Sequence, residues 1–348
     1  MGKEGLALIG KAKAIYGRRI TPDEYNTMLH KTSVPQVVGL LKSTARYSRE
    51  LAAADAQQVH RGQVEFLLNK SVFETYMRLC RFVPGGANGF NGFYIRKTEL
   101  DILLNTIMFL NAGQREKIII YLPAYMAPHI SFDLMALGNI TNFDELLKLL
   151  KDTHYYNILK NALPNSDYRS GEKLNFEDLS LSLYTDYYKR LLKMADEEFS
   201  GTERDRLRAA VFRGVTLDNL LLIYRMKTYF NRSAEEIKRL IIPFYRGFTH
   251  TDAENIINSR DAGQSAADYL NRKVLKGGIK FDANFPEMAV SRDDYRFSKG
   301  NLRLSGSGSM VIYSLVRLME IEKQNIFTVI EGVRYSMPAV EIEKLLIN

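Results

Sequence analysis

The segment nearest to a catalytic pattern opens the chain, where Gly5-Leu-Ala-Leu-Ile-Gly10-Lys11-Ala12 comes within one residue of a phosphate-binding loop. Such a loop needs a strand to aim its backbone N–H groups and a serine or threonine after the lysine to hold Mg²⁺. Ala12 offers no oxygen, and only four residues precede Gly5, so the segment reads as a helix whose glycines are small contact points. The glycines at 86, 89 and 92 follow no strand and read as a turn between helices, not as a dinucleotide fingerprint. His30, His60, His129, His154 and His250 stand singly, and one cysteine, Cys80, cannot complete a zinc site. The acidic pairs Glu197-Glu198 and Asp293-Asp294 sit among other charges and carry no acid–base signature. Ser307, in Gly306-Ser-Gly308, lacks the extra residue on each side that a nucleophile elbow requires. The reading is a protein without catalytic residues, metal or cofactor.

What must be positioned, then, is a binding surface. The chain has 348 residues, 46% hydrophobic and 25% charged, which is a folded globular mixture with room for several packed units. The net charge of +8 is compatible with a polyanionic partner. Its cations, however, alternate with acids, as in Glu235-Glu236-Ile-Lys238-Arg239, which is the pattern of solvated helix faces. Met1-Gly-Lys-Glu leads into a lysine-bearing amphipathic stretch rather than an apolar signal core. The longest nearly uncharged run, Ile118 to Phe132, is short and broken by Pro123 and Pro128, so no membrane span is expected. A cytosolic chain with a reduced, buried Cys80 follows.

Helical signals dominate. Thr21-Pro-Asp-Glu24 and Ser233-Ala-Glu-Glu236 are capping boxes. Leu100, Leu103, Leu104, Ile107 and Met108 lie on one helical face, and Leu217, Leu220, Leu221 and Tyr224 repeat that spacing. Long periodic runs cover 53–82, 176–199 and 311–335, and alternating strand patterns are absent. Twenty tyrosines and eighteen phenylalanines fall largely in these runs, where packing between helices is the simplest use.

The same unit recurs along the chain. Leu40-Leu-Lys-Ser-Thr-Ala-Arg-Tyr47 returns as Leu149-Leu-Lys-Asp-Thr-His-Tyr-Tyr156, and Leu100-Asp-Ile-Leu-Leu104 as Leu217-Asp-Asn-Leu-Leu221. A shorter helix follows each of the latter pair, with Glu seven residues before Pro, at Glu116 to Pro123 and Glu236 to Pro243. Asn325 to Leu346 matches Asn219 to Ile242, with one residue fewer in the turn. A period of roughly 105 to 120 residues exceeds that of common solenoids and makes each copy a small helical domain. The expected division is 1–128, 129–246 and 247–348, with a long polar loop at 277–309.

These features together resemble the C subunit of archaeal and bacterial V-type (A-type) rotary ATPases, the counterpart of the d subunit of the vacuolar ATPase. The resemblance rests on Leu217-Asp-Asn-Leu-Leu-Leu-Ile-Tyr-Arg-Met-Lys227, on Glu320-Ile-Glu-Lys-Gln-Asn-Ile326 through Leu346, and on Ala12-Lys-Ala-Ile-Tyr-Gly-Arg-Arg19 with Thr21-Pro-Asp-Glu-Tyr25. It implies an all-α, three-lobed, funnel-like, non-catalytic protein. Members of this family join the central shaft to the membrane ring that carries H⁺ or Na⁺, on the cytoplasmic side, as one copy per assembly and without nucleic acid. Arg225, Lys227 and Arg334, near the second helices, are the expected partner contacts. A helical scaffold or RNA-associated protein is the alternative reading of the charge.

Overall fold

Proline and short polar side chains begin the helices where the sequence places them. Thr21 accepts the Glu24 backbone N–H at 3.2 Å and Glu24 answers at the Thr21 N–H at 2.7 Å; Ser233 and Glu236 repeat the box. The computed structural model describes residues 3–52, 54–55, 61–120, 122–162 and 174–348, and among these every regular element is helical. His60 and the first part of the run expected at 53–82 lie largely outside the described residues.

The N-terminal stretch forms α1 (Lys3–Gly17), α2 (Pro22–Leu29), α3 (Val34–Ser43) and α4 (Arg61–Cys80). The middle carries α5 (Phe93–Asn111), α6 (Glu116–Ile120), α7 (Leu134–Leu137), α8 (Phe143–Leu149), α9 (His154–Ala162), α10 (Phe176–Glu198), α11 (Gly201–Thr228), α12 (Ala234–Leu240), α13 (His250–Ile257) and α14 (Ala262–Tyr269). The C-terminal part forms α15 (Pro286–Leu304), α16 (Gly308–Arg334) and α17 (Ala339–Lys344). Two compact units result, one of residues 1–86 with 275–348 and one of residues 87–274.

In the first unit, α16 is the central post. Ile326, Val329, Ile330 and Val333 meet Met28, Val37, Val38, Leu41 and Leu51 from the beginning of the chain, with Ile342 and Leu346 closing the core. In the second unit, α10 packs on α5, α9 and α11, while α11 packs on α14 and α12 on α13. Their buried faces are the leucine series Leu100, Leu103 and Ile107, and Leu217, Leu220 and Tyr224.

The segment 277–309 is not the long polar loop expected from its composition. It holds the helix α15, with Pro286 in its first turn and Phe285 at its N-cap position. Its buried face consists of Ala289, Asp293, Asp294, Ser298 and Leu302, so an apolar stripe was never there to be read. The acids are satisfied instead. Asp294 receives Nε of Arg317 at 2.8 Å and Nη2 at 2.6 Å, and Asp293 receives Nη2 of Arg296 and the Lys276 backbone N–H, both at 3.2 Å.

Candidate interface at the hairpin tips

Three times a long helix turns back through a short one: α5 into α6, α11 into α12, α16 into α17. Each turn contains one residue in the left-handed region, Gly113 at φ 66°, Asn231 at φ 46° and Ser336 at φ 55°. In the first and third hairpins, the residue after it closes a six-residue loop. Gln114 N–H donates to Phe109 C=O at 2.9 Å, and Met337 N–H to Gly332 C=O at 2.8 Å. The second loop is one residue longer, with Arg232 N–H on Met226 C=O at 2.9 Å.

Two of the hairpins are clamped by a buried asparagine. The Asn219 side chain donates to Ile242 C=O at 2.9 Å and accepts the Ile242 N–H at 2.8 Å. Asn325 does the same at Ile347, at 2.8 and 2.9 Å. Each amide therefore satisfies both backbone groups of the residue that ends its short arm, where no helix partner is available. The aligned residue of the first hairpin, Ile102, has no such groups to offer.

A second clamp uses carboxylates. Glu99 on α5 accepts the Ser131 N–H at 2.5 Å and the Tyr155 hydroxyl at 2.8 Å. Glu322 on α16 accepts the Ile20 N–H at 3.0 Å and the Tyr47 hydroxyl at 2.7 Å. Burial raises the pKa of Glu322, against the lowering effect of Tyr47, Arg46, the Ile20 N–H and Arg19. Burial, with the Glu322 charge, raises Tyr47 well above the usual phenol range. Both carboxylates hold a hairpin to a cluster of short helices, α7–α9 in one unit and α2–α3 in the other.

The tips themselves are apolar and open. Tyr229 (55% exposed) and Phe230 (62%) leave the end of α11; Tyr335 (68%) leaves the end of α16, with Met337 and Val340 also exposed. In the first hairpin Ile119 and Ile120 of the short arm are exposed. Large apolar side chains in such numbers at turns, where polar residues would serve better, are the usual mark of a covered surface. Cations frame them. Arg225 and Lys227 occupy the last turn of α11, half-buried, and Arg334 ends α16, with its guanidinium 5.5 Å from the Tyr335 ring and 3.8 Å from Glu331. Arg225 and Lys227 share one helix end, whereas Arg334 belongs to the other compact unit.

The remaining residues with chemical potential have structural partners. Cys80 is buried, and burial pushes its thiol up to about 12, with the Tyr76 hydroxyl lowering it slightly. Burial, then the charges of Arg190 and Arg96, lower His154 to about 4. Its ring nitrogen meets Arg190 and lies 3.6 Å from Asp186, whose own pKa is raised by burial. In the 84–92 turn, Gly89 (φ 45°) leaves room for the Glu198 carboxylate, which accepts the Phe90 N–H at 3.0 Å. Among the described residues, no group of His, Cys, Asp and Glu is placed to hold a metal ion.

Arg225, Lys227 and Arg334, the contacts expected from the sequence, lie beside exposed aromatics that the sequence pattern does not single out. Tyr229-Phe230 lies between the end of an apolar helix and the Ser233 capping box. The asparagine clamps were also overlooked, although Asn219 and Asn325 occupy matching positions of the repeat.

Paired helices, fixed from within and apolar at their turns, define an all-α protein whose hairpin ends are open. The chain belongs to the ATP synthase (C/AC39) subunit family, whose sequence model matches residues 8–345. That family is the C/AC39 subunit of V/A-type ATP synthases, a family of stalk subunits. Among curated proteins none matches the chain significantly. Among the described residues no helix is long and apolar enough to cross a membrane.

Proposed function

We propose that this chain couples the central shaft of a V/A-type rotary ATPase to its membrane ring, transmitting torque between nucleotide turnover and H⁺ or Na⁺ transport. It would work from the cytoplasmic face, as a single copy with no nucleic acid or cofactor. The observation that carries the reading, beyond family membership, is the set of exposed apolar turns at the hairpins, Tyr229-Phe230 and Tyr335 above all. Aromatic residues beside arginine are the usual anchors of protein interfaces. We further propose that the three hairpins descend from one unit, since they share a left-handed turn and two share an asparagine clamp.

A coupler needs two interfaces that outlast the applied torque, each of roughly 1,000 Å² or more. Arg225, Lys227 and Arg334 are proposed as rim contacts, with Tyr229 and Phe230 as the anchors at the α11–α12 turn and Tyr335 as the anchor at the α16–α17 turn. The test is reconstitution of the complex from purified shaft, ring-bearing membranes and variants of this chain. Tyr229→Asp with Tyr335→Asp should abolish assembly, and charge reversal at Arg225, Lys227 and Arg334 should weaken it in a salt-dependent way. Full assembly by both variants would exclude the hairpin tips as the contact surface.

A further inference from the structure

A cavity of about 220 Å³ in the first unit is lined by four arginines, Arg18, Arg46, Arg49 and Arg78, with Glu50 as its single carboxylate and Thr75 as a hydroxyl on its wall. The arginines come from separate places: Arg18 follows α1, Arg46 and Arg49 lie in the turns after α3, and Arg78 is in the last turn of α4. Arg46 is buried, anchored by Glu50 at 3.4 Å and by Met319 Sδ at 3.5 Å, and its guanidinium lies 5.2 Å from the Tyr47 ring. Arg78 donates to Thr75 at 2.9 Å. Arg18, Arg49 and Arg78 are exposed and make no ion pair among the described residues.

Four guanidinium charges against one carboxylate leave +3 around this cavity. Elsewhere on this chain arginines and lysines are commonly balanced by neighbouring acids, as at Arg61–Glu331, Arg232–Glu236 and Arg317–Asp294. Guanidinium groups that converge without acids cost repulsion, and they match the forked geometry of phosphate or carboxylate oxygens. The charge count separates those two. A phosphate group brings about −1.5 to −2 at pH 7, so two adjacent phosphates offset +3 inside one small volume. Carboxylates would need three side chains, each with its own backbone, converging in the same 220 Å³.

We propose that this four-arginine cavity binds a multiply charged phosphate anion, either free as a diphosphate or carried on a lipid headgroup. It does not rest on the coupling role above, since the cavity belongs to a different part of the chain from the hairpin tips. Arg46 forms the fixed floor, while Arg18, Arg49 and Arg78 close on the ligand from the rim.

The test is calorimetric titration of the full chain with inorganic pyrophosphate in chelator-containing low-salt buffer. Alongside it runs co-sedimentation with phosphatidylcholine vesicles, with or without phosphatidylinositol bisphosphate. The expected result is saturable binding that weakens with added salt. It should fall at least tenfold in the Arg18→Gln/Arg49→Gln variant and, separately, in Arg78→Gln, with unchanged circular dichroism. Binding to bisphosphate vesicles that pyrophosphate competes away assigns a lipid source. Pyrophosphate binding without vesicle binding assigns a soluble one. No pyrophosphate binding at millimolar concentration, or binding that survives both variants, overturns the proposal. So does a deca-glutamate peptide that binds more tightly than pyrophosphate and is lost in the same variants, since the cavity would then be a site for protein acids.

Discussion

Replacing Asn219 by leucine should loosen α12 far more than it loosens anything else. Leucine keeps the branched outline of asparagine, although its methyl groups are bulkier, so the main loss is the amide. The Ile242 N–H, held by Asn219 at 2.8 Å, is then left without its partner while Ile242 is 6% exposed; its C=O loses Asn219 but still accepts the Phe244 N–H at 2.9 Å. An unsatisfied buried donor or acceptor costs about 1–3 kcal/mol. Part of that cost is recovered by burying leucine, which leaves about 1–2 kcal/mol. The segment cannot relax easily, because Pro243 follows and has no N–H with which to re-pair. Asn325→Leu should cost more, about 2–4 kcal/mol, since Asn325 holds both the N–H and the C=O of Ile347, which is 5% exposed. The assay is native-state hydrogen exchange read by mass spectrometry. At 1.36 kcal/mol per tenfold, protection of residues 234–242 should fall by roughly 5- to 30-fold in Asn219→Leu, with α5 unaffected. Protection within threefold of wild type would refute the clamp.

Three further outcomes follow from the other buried groups. His154, lowered to about 4 against an ordinary 6.5, takes up its proton in the unfolded chain first. Wild-type stability should therefore fall as pH drops from 6.5 to 4 and level off below, by about 1–2 kcal/mol after discount for its 31% exposure. The raised Asp186 works in the opposite sense, so the quantity to read is the wild-type slope minus that of His154→Gln, by urea midpoints across this range. Glu322, raised above the usual carboxylate range, contributes the reverse: stability is greatest while it is protonated and declines as pH rises through its folded pKa. Glu322→Gln should flatten that decline in thermal melts, and an unchanged slope would show that the carboxylate titrates normally. Cys80, pushed up to about 12 and buried, should resist iodoacetamide at pH 8 for hours in the folded protein and react promptly in urea.

The helices with apolar stripes were legible because their cores are built from leucine and isoleucine at helical spacing. Leu100 to Met108 lies within α5, Leu217 to Tyr224 within α11 and the 311–335 run within α16. The boxes at Thr21 and Ser233 were legible because capping is a local reaction between residues three apart. Helix α15 was not, because its inner face carries Asp293 and Asp294, held by Arg296 within the helix and by Arg317 and the Lys276 N–H from outside it, and acids on a buried face leave no apolar period. The hairpin turns fall between these cases. Gly113 signals a left-handed residue, whereas Asn231 and Ser336 adopt that conformation without the usual glycine. Of the candidate contacts, Arg225, Lys227 and Arg334 were picked from charge alone. The exposure of the aromatics beside them depends on the folded structure and has no counterpart in charge pattern.

The central claim is mechanical, and the most direct measurement separates two activities that a coupler locks together. In membrane vesicles from cells lacking this chain, ATP hydrolysis and ATP-driven ion uptake are followed in parallel. The coupling account predicts that hydrolysis persists at the nucleotide sites of the head while ion uptake is lost, and that both are linked again when the chain is added back. Ion uptake that proceeds undiminished without this chain would contradict it.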